Sequence, residues 1–416
     1  MAHDLVQLPS VHETGSELQP VVSWLTVSPP FMLHCIQNPH GSLVPKRTAD
    51  RPVSPRERRT DPEPAMTDPL SLPSNPARPR LALALQGGGA HGAYGWGVLE
   101  RLLEEDVEIV AVSGASAGAL NGTALVAGLA DGGRAGALAG LERLWRAVAH
   151  DSPLRAFDHS WGGPFFEPWL RRSLEMSKMM GRYVAHLSPQ LREMRALRKV
   201  VSSSVDLRAL TRQGALPLYI AATAVSNGAA RLFGNDEITL DAIMASACLP
   251  DLFAAVRIDG EDYWDGGFSA NPALEPLIFD GHGATDLLIV QITPFAVEDA
   301  PTTLGGVIGR MSDIGFNACL LRDLKALTEV QAIARNAGST DPAMQALAAT
   351  NLHMMPAAPA LAERGSASKV DTRWSKLQEL RELGRATADA WLAQNAGHFR
   401  RTSTLSEADL PEAVAA

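Results

Sequence analysis

Residues 107 to 126 constrain the fold more than any other stretch. They read Val-Glu-Ile-Val-Ala-Val-Ser-Gly-Ala-Ser-Ala-Gly-Ala-Leu-Asn-Gly-Thr-Ala-Leu-Val. Val107 to Val112 is a short apolar, β-branched run, which predicts a buried strand. Ala117 to Leu129 is rich in Ala and Leu, which predicts a helix. Between them Gly114-Ala115-Ser116-Ala117-Gly118 matches G-x-S-x-G, the elbow in which a sharp strand-to-helix turn pushes a serine hydroxyl out of the sheet. Gly114 and Gly118 relieve crowding around a strained nucleophile. The helix that follows aims its N-terminal dipole at negative charge developing nearby. A second reading makes Ser116 only a small residue in a tight turn. The strand–turn–helix context favours the elbow.

A second strand–turn–helix unit stands just before it. Arg80 to Gln86 predicts a strand, and Ala93 to Glu105 a helix with Tyr94, Val98, Leu99 and Leu102 on one face. The turn between them is Gly87-Gly88-Gly89-Ala90-His91-Gly92. Three successive glycines leave backbone N–H groups free to converge on an anion. That anion could be an oxyanion formed during acyl transfer. It could also be the pyrophosphate of a dinucleotide, because Gly87, Gly89 and Gly92 satisfy G-x-G-x-x-G and Asp106 or Glu108 lies near the offset of a ribose-binding acid. The glycines could also serve close packing alone. The next strand ends in Ser116 rather than in an acidic residue, which favours the oxyanion.

Further along, Leu138 to Ala149, Phe166 to Met180, Leu191 to Val201 and Leu207 to Arg212 predict helices. The aromatic block Trp161 to Trp169 and the Met-rich block Met176 to Met180 suit either an apolar acyl pocket or plain core. Leu216 to Val225 predicts a buried strand, and Ala230 to Phe233 a short strand in a hairpin near Asn227-Gly228. Thr239 to Cys248 reads as a helix stopped by Pro250. A short strand then leads into Asp265-Gly266-Gly267, where the glycines let the chain turn away and leave the carboxylate bare at the sheet edge; an Asx-type turn is the competing reading. Asp286 to Thr293 adds a parallel-type strand. Leu304 to Ala334 predicts one long helix or a helix pair, and Leu361 to Lys369 a loop. Trp374, Leu377, Leu380, Leu383, Thr387 and Trp391 mark an amphipathic helix, which either packs on the domain or serves a membrane surface or a dimer.

Composition narrows the class. With 416 residues, 46% hydrophobic and 20% charged, the chain suits one large globular domain or two smaller ones. A net charge of −9 argues against a broadly basic nucleic-acid binder. Cys35, Cys248 and Cys319 are odd in number and far apart, which suggests neither a disulfide framework nor a metal site and points to a reducing compartment. No apolar run approaches the roughly 18 residues needed to cross a bilayer, and no secretory signal is evident. The expected organisation is a disordered Pro-rich extension over 1–78, a catalytic core over 79–295, a helical part packed on it over 296–396, and a disordered tail over 397–416.

An acyl-transfer site needs a nucleophile, a base and donors for the oxyanion. Ser116, Asp265 and the Gly87–Gly89 amides supply all three. A histidine base is the usual arrangement, and the order Ser, acid, His is open to this chain through His282 or His353. His282 lies in Gly281-His282-Gly283, a surface-turn sequence, and His353 in a weakly patterned segment.

Three blocks, in order, resemble the patatin-like phospholipase family in its bacterial branch: Gln86 to Tyr94, Gly114 to Gly118, and Tyr263 to Gly267. Ala245 to Pro250 is similar to the family's approach to its aspartate block. The similarity spans about Leu81 to Thr293. It implies a three-layer α/β/α fold with a mainly parallel central sheet, C-terminal helices and a disordered N-terminal extension. It implies a Ser–Asp dyad without histidine, Ser116 as nucleophile and Asp265 as base. Gly87, Gly88, Gly89 and Ala117 are implied for oxyanion and substrate binding, with His91, Gly92, Gly114, Gly118, Gly266 and Gly267 supporting the motifs. Many members carry Arg or Lys where this chain has His91, and a neutral imidazole would not fix positive charge there. The resemblance implies no metal and no cofactor. The expected partner is a lipid or other acyl-ester substrate, whether phospholipid, lysophospholipid, neutral glyceride or polyester. The expected setting is cytoplasmic, with transient contact to a membrane surface, lipid droplet or granule and none to nucleic acid. Oligomeric state is not set by the sequence.

Overall fold

The structure, a computed structural model, describes residues 78–151, 194–406 and 409–411. Nearly all of the expected N-terminal extension, the helix expected over Phe166 to Met180 and the Trp161–Met180 blocks lie outside the described residues.

The centre is a sheet of eight strands among the described residues: β1 (Arg80–Leu85), β2 (Glu108–Ala115), β3 (Leu218–Ala224), β4 (Ala230–Phe233), β5 (Val256–Ile258), β6 (Glu261–Asp265), β7 (Asp286–Val290) and β8 (Asn351–Met355). Their order is β5-β6-β3-β2-β1-β7-β8, with β4 also paired to β3. The run from β3 through β2, β1 and β7 to β8 is parallel, while β4 and β6 run antiparallel to β3. Parallel strands are buried on both faces, which is why Leu81 to Leu85 is unbroken apolar sequence. Leu81, Leu83 and Leu85 enter one core and Ala82 and Ala84 the other, as a two-residue period requires.

Helices cover both faces. The first core takes α1 (Gly92–Leu102), α2 (Ala117–His150), α3 (Arg195–Ser204), α4 (Leu240–Ser246), α8 (Pro359–Glu363) and α9 (Trp374–Asn395). The second takes α5 (Glu275–Phe279), α6 (Leu304–Ala337) and α7 (Pro342–Ala349). The fold is therefore the expected three-layer α/β/α sandwich. The helices expected at 117–129 and 138–149 are the two halves of α2, broken where Gly132 and Gly133 leave helical φ/ψ. The long pattern after Leu304 is one helix. The amphipathic C-terminal helix packs on the domain: α9 crosses α1 where Gly97 and Gly384 admit close backbone approach, and Arg381 pairs with Glu100 at 2.7 Å. No helix among the described residues is long and apolar enough to cross a membrane.

Two expectations need correction, and one segment without a predicted element is a strand. Leu361 to Lys369, expected as a loop, carries the end of α8 and a 3-10 turn at Ser366–Val370. Asn351 to Met355, unassigned in sequence, is strand β8, in register with β7. The segment after Gly397, expected to be disordered, is tied down where it is described. Phe399, Leu405 and Leu410 are buried, and Thr404 and Leu405 N–H donate to Leu352 O at 3.1 and 3.0 Å. Single apolar residues without a period carry no secondary-structure signal, yet each fills a place in a core already formed.

Candidate active site

The sharp strand-to-helix elbow expected at Ser116 is present. Ser116 leaves β2 with φ 53° and ψ −122° and caps α2. A non-glycine residue there stores on the order of 1–3 kcal/mol and persists only where its surroundings hold it. The holding groups are visible: Ser116 N–H donates to Ser246 O at 3.1 Å and Ser246 Oγ at 3.0 Å. Both flanking glycines are required by approach. A Cβ on Gly114 would lie 2.5 Å from Gly118 carbonyl carbon, and one on Gly118 would strike Leu85 O. Any larger residue would push the elbow off the sheet.

Asp265 reaches the same place from the other direction. β6 runs against β3 and stops where Asp265 pairs with Ala222, one step beyond Ala221, itself the partner of Ala115. The Asp-Gly-Gly block is thus delivered level with the elbow across a strand of alanines, two strand spacings or roughly 10 Å of backbone away. Asp265 is fully buried. Its Oδ1 accepts from Gly267 N–H at 2.8 Å, so the Asx-type turn and the bare carboxylate are both present. Burial pushes its pKa up to about 7, and the Gly267 N–H and the nearby Ser116 hydroxyl hold it back from rising further. The Ser116 hydroxyl is close enough to act on the carboxylate, yet no well-formed hydrogen bond reaches Oδ2. Catalytic hydrogen bonds are often loose before substrate binds. Gly266 and Gly267 are packed against Ala221 and Phe316, which leaves no room for a side chain at either.

The glycine turn lies at the carboxyl edge of β1, beside Ser116. Gly87 contributes packing rather than a free donor, which departs from the expectation that it binds the oxyanion. Its N–H donates to Asn271 Oδ1 at 2.8 Å, and a Cβ there would lie 2.8 Å from Ser116 Cβ. The N–H groups of Gly88 and Gly89, and of Ala117 at the first turn of α2, have no acceptor among the described residues. Gly89 takes φ 61°, and a Cβ there would meet Lys369 O at 2.5 Å. The turn around Lys369 thus lies across the loop as a strap. Lys369 Nζ donates to Asp313 Oδ1 at 2.6 Å, and His91 Nε2 hydrogen-bonds Ser368 Oγ at 2.7 Å. His91 therefore ties the strap down. A Cβ on Gly92 would meet Ala117 Cβ at 2.6 Å, which sets how closely α1 approaches α2.

Neither candidate histidine joins this cluster. His282 O accepts from the Arg80 guanidinium at 2.9 Å, which puts it at the amino edge of β1, on the order of 17 Å of strand from the elbow. His353 lies in β8, three strand spacings or roughly 14 Å from β2, and bonds Asp286 and Thr404. The acids of the dinucleotide reading are also misplaced. Glu108 begins β2 at the edge opposite the glycine turn, and Asp106 is exposed and pairs with Arg78.

Sequence reasoning passed over three supports of this site: Ser246, Asn271 and Gln86. Gln86 Oε1 accepts from Ile292 and Thr293 N–H, both at 2.8 Å, and its Nε2 donates to Asn317 Oδ1 at 2.8 Å. Gln86 and Ser246 stand inside blocks that carry the resemblance, which implies no role for either, and for Asn271 the hint is the Asn271-Pro272 pair, a turn signal six residues past Asp265.

Sheet, strained serine and glycine turn place the molecule among the α/β proteins with a mainly parallel central sheet and a sharp strand-to-helix elbow at its carboxyl edge. Residues 83–278 match the family model of the patatin-like phospholipases. These residues therefore form a patatin-like phospholipase domain, and such a domain supports lipid acyl hydrolase activity in general. Comparison with curated proteins gave no match. Among solved structures, the chain is similar to the crystal structure of VipD from Legionella pneumophila at 14% identity and a TM-score of 0.33, over 73% of this chain and 67% of that one.

Proposed function

We propose that this protein hydrolyses lipid acyl esters through an acyl-enzyme on Ser116, with Asp265 as the base. The observation that supports this most directly is the buried Asp265 carboxylate, with Oδ2 unpaired and the Ser116 hydroxyl beside it. Ser116 Oγ attacks the ester carbonyl carbon while its proton passes to Asp265. The carbonyl oxygen becomes an oxyanion and accepts from Gly88, Gly89 and Ala117 N–H. One such donor is commonly worth about 3 kcal/mol of transition-state stabilisation. The C–O bond to the leaving alcohol breaks as Asp265 returns the proton to that oxygen. Water then gives a proton to Asp265, attacks the acyl carbon and releases the fatty acid, and Ser116 regains its proton.

A carboxylate near its ordinary pKa of about 4 is a feeble base for a serine. Lifting it to about 7 raises its proton affinity by roughly three orders of magnitude while leaving it half ionised at neutral pH. Burial thus supplies part of what histidine supplies elsewhere. Since the ester resides in a lipid phase, transient contact with a membrane surface, droplet or granule belongs to the same reading, and phospholipid and neutral glyceride are both substrates to test.

The experiment is turnover of a p-nitrophenyl ester, followed by mass-spectrometric profiling of hydrolysed lipids, with Ser116→Ala and Asp265→Asn beside the wild type. Both variants are expected to be inert. Full activity in either would sink the proposal.

A further inference from the structure

We infer that Asn271 is a positioning residue that holds the oxyanion loop in its working shape. The inference rests on the proposed acyl-enzyme chemistry and names a group that acts on it indirectly. Asn271 is fully buried. Its Oδ1 accepts from Gly87 N–H at 2.8 Å and its Nδ2 donates to Phe316 O at 3.0 Å. The orientation of the amide is unambiguous, because a backbone N–H can only donate and a carbonyl can only accept. Asn271 thus joins three pieces of the site. It follows Asp265 by six residues on the chain that delivers the base. It grips the first residue of the glycine turn, and it is fixed in turn to α6, whose Phe316 walls Gly267.

Three glycines in a row have wide φ/ψ freedom. Left to itself, such a turn would sample many directions for the Gly88 and Gly89 N–H groups, and an oxyanion hole works only when its donors are already aimed. Gly89 is pressed under Lys369 O at the far end of the turn. At the near end the corresponding restraint is the bond from Gly87 to Asn271, with Ser116 Cβ closing the other side. Neutral amide chemistry matters here, since a carboxylate in its place would set a second buried negative charge beside a developing oxyanion.

The test uses the full chain. In Asn271→Ala, kcat should fall by roughly tenfold to a hundredfold, the scale of a misplaced catalytic group, while KM stays within about twofold. An alkyl trifluoromethyl ketone, whose adduct with the serine carries an oxyanion, should lose affinity by the same factor as kcat. A residue that only packs would lower Tm without moving the two together. Should Asn271→Ala fail to fold, Asn271→Ser, which is neutral and too short to hold both Gly87 N–H and Phe316 O, carries the decision: a common factor in kcat and inhibitor affinity upholds the inference, and a change in kcat alone overturns it. A variant within threefold of wild-type kcat also overturns it. Persisting turnover in Ser116→Ala would instead defeat the reading beneath it, whereas an inert Ser116→Ala beside an unimpaired Asn271→Ala defeats this inference alone.

Discussion

Asp265 and Asp286 lie at the ends of two strands of one sheet, and both are fully buried. Their chemistry differs. At Asp286, burial pushes the pKa up, but hydrogen bonds from His353, Thr285, the Arg400 N–H and Asn351 outweigh it and hold the carboxyl below its ordinary range. His353 Nε2 stands 3.0 Å from Oδ1, Thr285 Oγ1 2.6 Å from Oδ2, and Arg400 N–H 2.9 and 3.0 Å from the two oxygens. At Asp265 one backbone N–H reaches Oδ1, and Oδ2 has none. Two solvent-excluded carboxyls therefore reach opposite outcomes: Asp265 is the more deeply enclosed and has one backbone donor, whereas Asp286 is less deeply enclosed and has several donors. A carboxylate with every lone pair engaged is a structural pin with no proton affinity to spare. One with an oxygen left bare is strained as an anion and ready to take a proton.

The largest test of this contrast is on turnover. Asp265→Asn should lower kcat by about 10³-fold or more, the scale seen when a base in such a unit is lost. Asp286→Asn should leave kcat within about threefold. Steady-state ester hydrolysis by both variants decides it, and equal losses would break the distinction between base and pin.

Stability should show the reverse. An amide at position 286 offers one acceptor oxygen where the carboxylate offers two, so in either orientation the Thr285 hydroxyl or His353 Nε2 would face an N–H in place of its acceptor in the core. Asp286→Asn should destabilise by roughly 2–4 kcal/mol. His353→Ala should act through the same network, and the double variant should lose clearly less than the two singles added together. Denaturant unfolding measures all three, and strict additivity would show that the two residues do not form a unit.

The same contrast explains what was legible in the sequence. Elements whose signal is local were readable: the glycine turn after β1, the elbow after β2, and the Asp-Gly-Gly block after β6 each carry their geometry in consecutive residues. Where a residue's role depends on a distant partner, the signal vanishes. Asn271 looks like any polar turn residue until Gly87, 184 positions earlier, is brought against it. Asn351 to Met355 resists assignment because it lacks β-branched residues and carries a histidine in its middle. That histidine is tolerated in a buried strand only because Asp286, 67 positions away, accepts from it. The ordered tail beyond Gly397 is the same case, held through Leu352 and Asp286 rather than by any pattern of its own.

The smallest expected effect is also the one whose sign separates the two aspartates most cleanly. Asp265 has a folded pKa near 7 against an ordinary value of 3.8, so between pH 4 and 7 the folded state binds more protons than the unfolded chain. Its contribution to stability therefore falls as pH rises through that window and is constant above it. Asp286 works the other way, because its folded pKa is depressed. Its contribution is present above the ordinary carboxylate pKa and is lost only as pH falls below it. Asp265→Asn cannot ionise, so it should match the wild type only below about pH 4, pull ahead as pH rises and exceed it by roughly 1–3 kcal/mol at pH 8, a discounted share of the 1.36 kcal/mol that each pKa unit represents. Wild-type kcat/KM should rise about tenfold per unit below pH 7 and level off above it, reporting the same ionisation. Thermal melts of both proteins at pH 5, 6.5 and 8 provide the measurement. A variant no more stable than the wild type at pH 8, or an advantage that does not change with pH, would mean that the bare oxygen of Asp265 carries no strain. The carboxylate would then be a second Asp286, and its place beside Ser116 would lose its chemical meaning.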